Sequence, residues 1–193
     1  MAGDVLWYGN NSLGIFDYAA VAVAVLALVF TVASFWWLNA RKGSITATQP
    51  RAYAFGGSGA QLRLRFPFTF FNTGAKALIM GDMRVVLDGE PGRPELRWLT
   101  TRDLLRPETD DGFAYPTPFS IAGRGTRDVI AEFEPSVNLN WSPPPGIKHR
   151  LQLQAQIHPK DEWVDLVSFD WWAPPEDTRG HYIAHRNEST TAP

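Results

Sequence analysis

The chain has 193 residues, 45% of them hydrophobic and 20% charged, with 18 Lys and Arg against 20 Asp and Glu and no cysteine. Without cysteine there is no disulfide framework, no thiolate-held zinc or iron–sulfur centre and no thiol catalysis. A net charge of -2 gives no global electrostatic footprint for nucleic acid.

Residues 1–17 are read as a short segment outside the membrane, with Asp4 and Asp17 as its only charged side chains. From Tyr18 to Leu38 the chain runs 21 residues without a charge, and 19 of them are hydrophobic. At about 1.5 Å per residue such a helix covers roughly 31 Å, the thickness of a bilayer core. A transmembrane helix over 18–38 is therefore expected, with the lipid bilayer as its partner. Val32-Ala33-Ser34 would suit a signal-peptide cleavage site, but no Lys or Arg precedes the apolar stretch, so the positive start of a signal peptide is missing. Tyr18, Trp36 and Trp37, with Arg41 and Lys42, are the expected membrane-interface anchors. Because Arg41, Lys42 and Arg51 all follow the helix, the charge bias predicts the N-terminus outside and the C-terminal domain in the cytoplasm. Ala20, Ala24, Ala27, Thr31 and Ser34 recur at alternating spacings of four and three, one seam of small residues on the helix. That seam predicts pairing through the helix, with a second copy or with another membrane protein.

Residues 39–60, rich in Gly, Ser, Thr and Ala, read as a tether with a short strand near Ala52 to Phe55. The domain is expected over 61–173. Leu62, Leu64, Phe66, Phe68 and Phe70 alternate with Arg63, Arg65, Pro67, Thr69 and Phe71, the period of a half-buried strand. Pro67 has no N–H for a ladder and marks an edge or a break in pairing. After the turn Asn72-Thr73-Gly74, further strands are expected at 76–80, 83–87, 95–100, 117–121, 127–133, 151–157 and 162–172. A single helical turn is expected at 101–106. Residues 174–193 read as a polar, mobile tail.

Many short strands with frequent turn signals predict an all-β fold, an antiparallel immunoglobulin-like β-sandwich following one N-terminal transmembrane helix. The strand ending at Phe71-Asn72-Thr73-Gly74 and the Phe119 to Phe133 hairpin resemble corners of immunoglobulin-like domains, although the antibody Cys, Trp, Cys spacing is absent.

No recognised catalytic motif is present. Gly123-Arg124-Gly125 lies in a predicted hairpin and does not continue as a dinucleotide fingerprint. His181 and His185, near Glu176 and Asp177, have helical metal-ligand spacing but fall in the tail, and His149 and His158 sit at the two ends of one strand. Asp110-Asp111 and Asp161-Glu162 read as turn caps. No catalytic, cofactor or metal site is assigned, and neither a metal nor nucleic acid is expected as a partner. Arg63 and Arg65 share the outward face of their strand, where anionic lipid or an acidic patch would meet them. Trp163 and Trp171 share parity on the last strand and Trp172 has the opposite one, so one face of that strand is left for a partner. The candidate interaction surface is thus Trp163, Trp171, Trp172, Arg63 and Arg65. The expected function is a membrane-anchored, protein-binding or scaffolding module, not an enzyme; an accessory subunit of a larger membrane complex is the alternative, ahead of a membrane-anchored enzyme.

Overall fold

The computed structural model describes residues 12–56, 62–88, 94–106, 111–136, 143–144, 146–160, 162–174 and 182–187. The chain divides into two compact units, Met1–Arg41 and Lys42–Pro193.

In the first unit, α1 runs Ser12–Phe35 and continues into a π-helical turn, Trp36–Ala40. Arg41 leaves the helical backbone, but its N–H still donates to the Trp36 carbonyl at 3.1 Å. Inside the helix the Thr31 hydroxyl donates to the Ala27 carbonyl at 2.7 Å, and the Asn39 amide donates to the Phe35 carbonyl at 3.1 Å. Both polar side chains thus bond to the backbone of their own helix, one turn back. The Arg41 guanidinium stands 4.2 Å from the centre of the Trp37 ring.

The second unit is an antiparallel sheet of eleven strands: β1 Ile45–Ala47, β2 Ala52–Gly56, β3 Arg63–Asn72, β4 Leu78–Asp88, β5 Glu95–Arg102, β6 Phe113–Ala114, β7 Phe119–Ile121, β8 Thr126–Pro135, β9 Lys148–His158, β10 Trp163–Trp172 and β11 Ile183–Arg186. Neighbours follow the path β10-β9-β4-β5-β8-β3-β2-β11, with β1 added to β3, β6 to β5 and β7 to β4. The sheet curls into a half-barrel because β4 changes partner along its length. Its first residues pair with β7, and Arg84 to Val86 pair with β5. Apolar side chains from the two arms then meet across the interior, where Phe169 of β10 lies 5.2 Å from Phe66 and 5.9 Å from Phe68 of β3, ring centre to ring centre.

Pro67 is placed where its missing N–H costs nothing. β2 pairs only with residues 63–65 of β3 and β1 only with 70–72, so Pro67 faces the gap between them. Several local expectations change. The tether contributes β1 and β2, and Ile45, Tyr53, Ala54 and Phe55 are buried in the domain. The two strands expected at 76–80 and 83–87 are one, β4, with Gly81 absorbed as a bulge between Met80 and Asp82. Thr101 and Arg102 continue β5 instead of opening a helical turn. The tail returns as β11, antiparallel to β2. Asn187, just past β11, donates to the Asp170 carbonyl at 2.6 Å and to the Pro50 carbonyl at 3.1 Å. One amide thereby fastens the β11 end of the sheet to the β10 end.

Candidate functional site

The first candidate is the helix. Among the described residues one helix, Tyr18–Ala40, is long and apolar enough to cross a membrane, and none of its residues is buried. The seam residues Ala20, Ala24, Ala27 and Thr31 are exposed and Ser34 partly so. The Thr31 hydroxyl already donates along the helix, which leaves its oxygen as an acceptor for a neighbour. Tyr18, Trp36 and Trp37 are 80%, 56% and 52% exposed, at the two ends of the apolar run, and Arg41 and Lys42 are exposed as well.

A second candidate lies on the outer face of β3, β5 and β8. Arg65 is 2% exposed and is therefore inside the protein, not on a solvated sheet face. Its Nε donates to Glu132 at 2.5 Å, and its Nη1 donates to Asp111 at 2.6 Å and to the Leu104 carbonyl at 3.1 Å. Arg102 joins the same carboxylates, 3.2 Å from Glu132 and 3.7 Å from Asp111, and donates to the Thr100 hydroxyl at 3.0 Å. The chain covers this cluster twice. Asp111 crosses over it, and the Tyr182 ring lies 4.6 Å from the Arg65 guanidinium with its hydroxyl 3.4 Å from Glu132. Burial and the Glu132 carboxylate push the Tyr182 phenol above its ordinary range, against the opposing pull of Arg65. Beside the cluster, Arg63 is 2.7 Å from Glu134, which also binds Arg97. Two arginines against two carboxylates make a neutral, mutually satisfied core, so the chemistry here is that of a fastener and not of an acid–base pair poised at different protonation states.

The third candidate is the outer face of β9 and β10. An extra residue, Leu166, sits between the paired Asp165 and Val167, and this bulge reverses the parity of the strand. Trp163 and Trp172 consequently share the outer face, opposite Gln156 and Lys148, whereas Trp171 is 0% exposed in the core. The expected pairing of Trp163 with Trp171 is corrected accordingly. Trp163 lies under the Arg84 guanidinium at 4.2 Å, and Arg84 in turn binds Gln154 at 2.8 Å. Arg150 and Lys148 hold Asp170 at 2.9 and 3.3 Å, and their hydrogen bonds keep that carboxyl below its usual range. Of the proposed surface, Trp163, Trp172 and Arg63 remain partly exposed, and Trp171 and Arg65 leave it.

Parity along β3 and β8 could have placed Arg65 beside Glu132, but nothing in the sequence announces that Asp111, Arg102 and Tyr182 close over them. Phe113 and Tyr115, which no motif in the sequence singles out, are 59% and 72% exposed and meet edge to face at 5.8 Å. His185 lies on Tyr53 at 5.3 Å, while Asp110, Asp161, Glu176, Asp177 and His181 lie outside the described residues. Among the described residues no three His, Asp or Glu side chains converge as a metal site would require. The chain matches no known protein family and is similar to no curated protein.

Proposed function

We propose that this chain is a single-pass membrane protein whose β unit acts as a protein-binding or scaffolding module held at the bilayer. The observation that carries the reading is the helix Tyr18–Ala40, apolar along its length and with none of its described residues buried. A helix apolar all round needs an apolar environment, and lipid supplies it. The β unit would pack its two arms as a sandwich of immunoglobulin-like kind, an arrangement favoured by the Phe66, Phe68 and Phe169 contacts across its interior. Pairing of the helix through Ala20, Ala24, Ala27, Thr31 and Ser34 would join it to a second copy or to a larger complex. With Arg41, Lys42 and Arg51 following the helix, the domain lies in the cytoplasm and the N-terminus outside.

The test is the behaviour of the full chain in cells. It is expected to stay with membranes through alkaline carbonate extraction, to dissolve in detergent, and to retain Met1. A mature protein beginning just after Ser34 would identify the helix as a cleaved signal and end the anchor reading. Since the chain has no cysteine, Thr117→Cys provides a single exposed label for orientation. Protection of that thiol from an impermeant reagent in intact cells is expected, and labelling would reverse the topology. Purification in mild detergent distinguishes self-association from the accessory-subunit alternative, which requires stoichiometric foreign partners.

A further inference from the structure

The edges of the sheet are not treated alike. On β10 the bulge at Leu166 interrupts the strand, and the carbonyls of Ser168, Asp170 and Trp172 further along it accept from Gln49, Asn187 and Tyr53. Such devices keep a strand edge from templating another chain. The short strand β6 lacks them. It pairs with β5, Thr101 opposite Ala114 and Arg102 opposite Phe113, and among the described residues no strand takes its other side. From Phe113 to Pro118 every residue is exposed and uncharged.

The direction of the free backbone groups follows from the ladder. The Asp103 N–H donates to the Gly112 carbonyl at 3.2 Å, which makes Arg102 and Phe113 a pair without mutual hydrogen bonds. Bonding groups alternate along a strand, so those of Ala114 turn toward β5, whereas the N–H and C=O of Phe113 and Tyr115 turn outward. Pro116 falls where the next donor toward β5 would be needed, and the pairing stops before it. The Thr117 hydroxyl donates to the Tyr115 carbonyl at 3.0 Å, which keeps a second lone pair. The two outward residues also carry the aromatic rings that meet at 5.8 Å, with the Arg102 guanidinium 5.1 Å from the Phe113 ring. Arg102 is itself held by Glu132 and Asp111, so its charge is already met.

We propose that β6 pairs, antiparallel and about a two-fold axis at Ala114, with β6 of a second copy of this chain. That register is self-complementary. It sets Phe113 of each copy opposite Tyr115 of the other, and each such pair exchanges both of its outward N–H and C=O groups. The aromatic rings of the two copies then gather on one face of the joined strands. A two-fold contact uses up both edges, so association ends at two copies and does not grow into fibres. Strands this short make a weak contact alone, and a second link must raise the effective concentration. The inference therefore rests on pairing through the helix, and adds the place where the β units of the two copies meet.

The chain has no cysteine, so single substitutions report the register. At the axis the two Ala114 Cα atoms lie about 4.5 Å apart, close enough for a disulfide, whereas the two Thr117 positions lie roughly 20 Å apart. The full chain in mild detergent is oxidised with copper phenanthroline, and the covalent dimer is timed on non-reducing gels. Ala114→Cys is expected to cross-link about tenfold faster than Thr117→Cys, or more. Adding Tyr115→Pro removes an outward N–H that has no partner among the described residues, and should bring Ala114→Cys down to the Thr117→Cys rate with the melting temperature nearly unchanged. Tyr115→Lys, a charge on the edge at a position 72% exposed, is expected to do the same. Equal rates at the two positions, or a fast rate that survives both edge variants, overturn the inference and leave helix pairing in place. A chain that is monomeric in the detergent removes the pairing reading and this inference with it.

Discussion

Glu132, 1% exposed, shows how little of a side chain's role its residue type reveals. Its carboxylate receives Arg65 and Arg102 in a region closed to water, and it stands beside the Thr100 and Tyr182 hydroxyls. Replacing one partner of a buried charge cluster leaves the others uncompensated, so Glu132→Gln is expected to cost about 3 kcal/mol in chemical denaturation. Replacing Arg65, Arg102, Asp111 and Glu132 together by apolar residues of similar volume should cost much less, which would identify the cluster as a device for specificity more than for stability. Tyr182 carries a pH signature of its own. Because its folded pKa is raised above the ordinary 10.0, the neutral phenol's contribution is complete below that value and is lost as pH climbs through the folded pKa. Tyr182→Phe should therefore be relatively more stable than the parent above pH 10, measured by melting temperature, with the difference shrinking at neutral pH. The alternation of β3 already placed Arg63 and Arg65 on the face away from the phenylalanines. What the pattern could not disclose is the cover, because Asp111 and Tyr182 arrive from segments with no periodicity to mark them.

The same division holds for elements. α1 was legible from its uninterrupted apolar run, β3 and β9 from strict alternation, and β8 from the glycine turn that precedes it. β2 was expected near Ala52 to Phe55 and runs Ala52–Gly56, whereas β1 and β11 were not legible, because three or four residues give too short a period and their polar surroundings imitate a linker or tail. β10 was found with its faces misread, since one inserted residue changes parity while leaving composition untouched. Deleting Leu166 should remove the bulge and keep Trp163 outside and Phe169 inside, with a modest fall in melting temperature for the lost packing. Deleting Ser168 lets Leu166 and Val167 move into the places opposite Leu153 and Gln152, so it too should remove the bulge and keep Phe169 opposite Leu151 at a modest cost in melting temperature. For α1, exchanging Ala24 and Ala27 for Leu widens the seam and is expected to weaken helix association in a membrane reporter assay. Unchanged association would assign the small residues to helix propensity alone.

For the β unit as a whole, the decisive feature is the closure of a sheet that would otherwise present two open ends. β11 pairs with the edge of β2, and side chains cap the backbone of β10. Gln49 reaches the Ser168 carbonyl at 3.1 Å, and Tyr53 reaches that of Trp172 at 2.5 Å. Asn187 completes the set at Asp170. Truncation after Ala173 should uncover the β2 edge and the seat of Tyr182, lowering the melting temperature and bringing concentration-dependent aggregation, measurable by light scattering. Asn187→Ala should give a milder version, about 1 kcal/mol for the part-buried hydrogen bonds to Pro50 and Asp170.

The pairing of Ala54 with Ala184 also imposes an order of events. β2 precedes most of the β unit in the chain and its partner β11 follows it, so the sheet cannot shut until nearly the whole domain has left the ribosome. Pairings this distant in the chain are slow to form. Throughout that interval the β2 edge stands open, and the period of greatest exposure to misassociation falls before the native clasp exists.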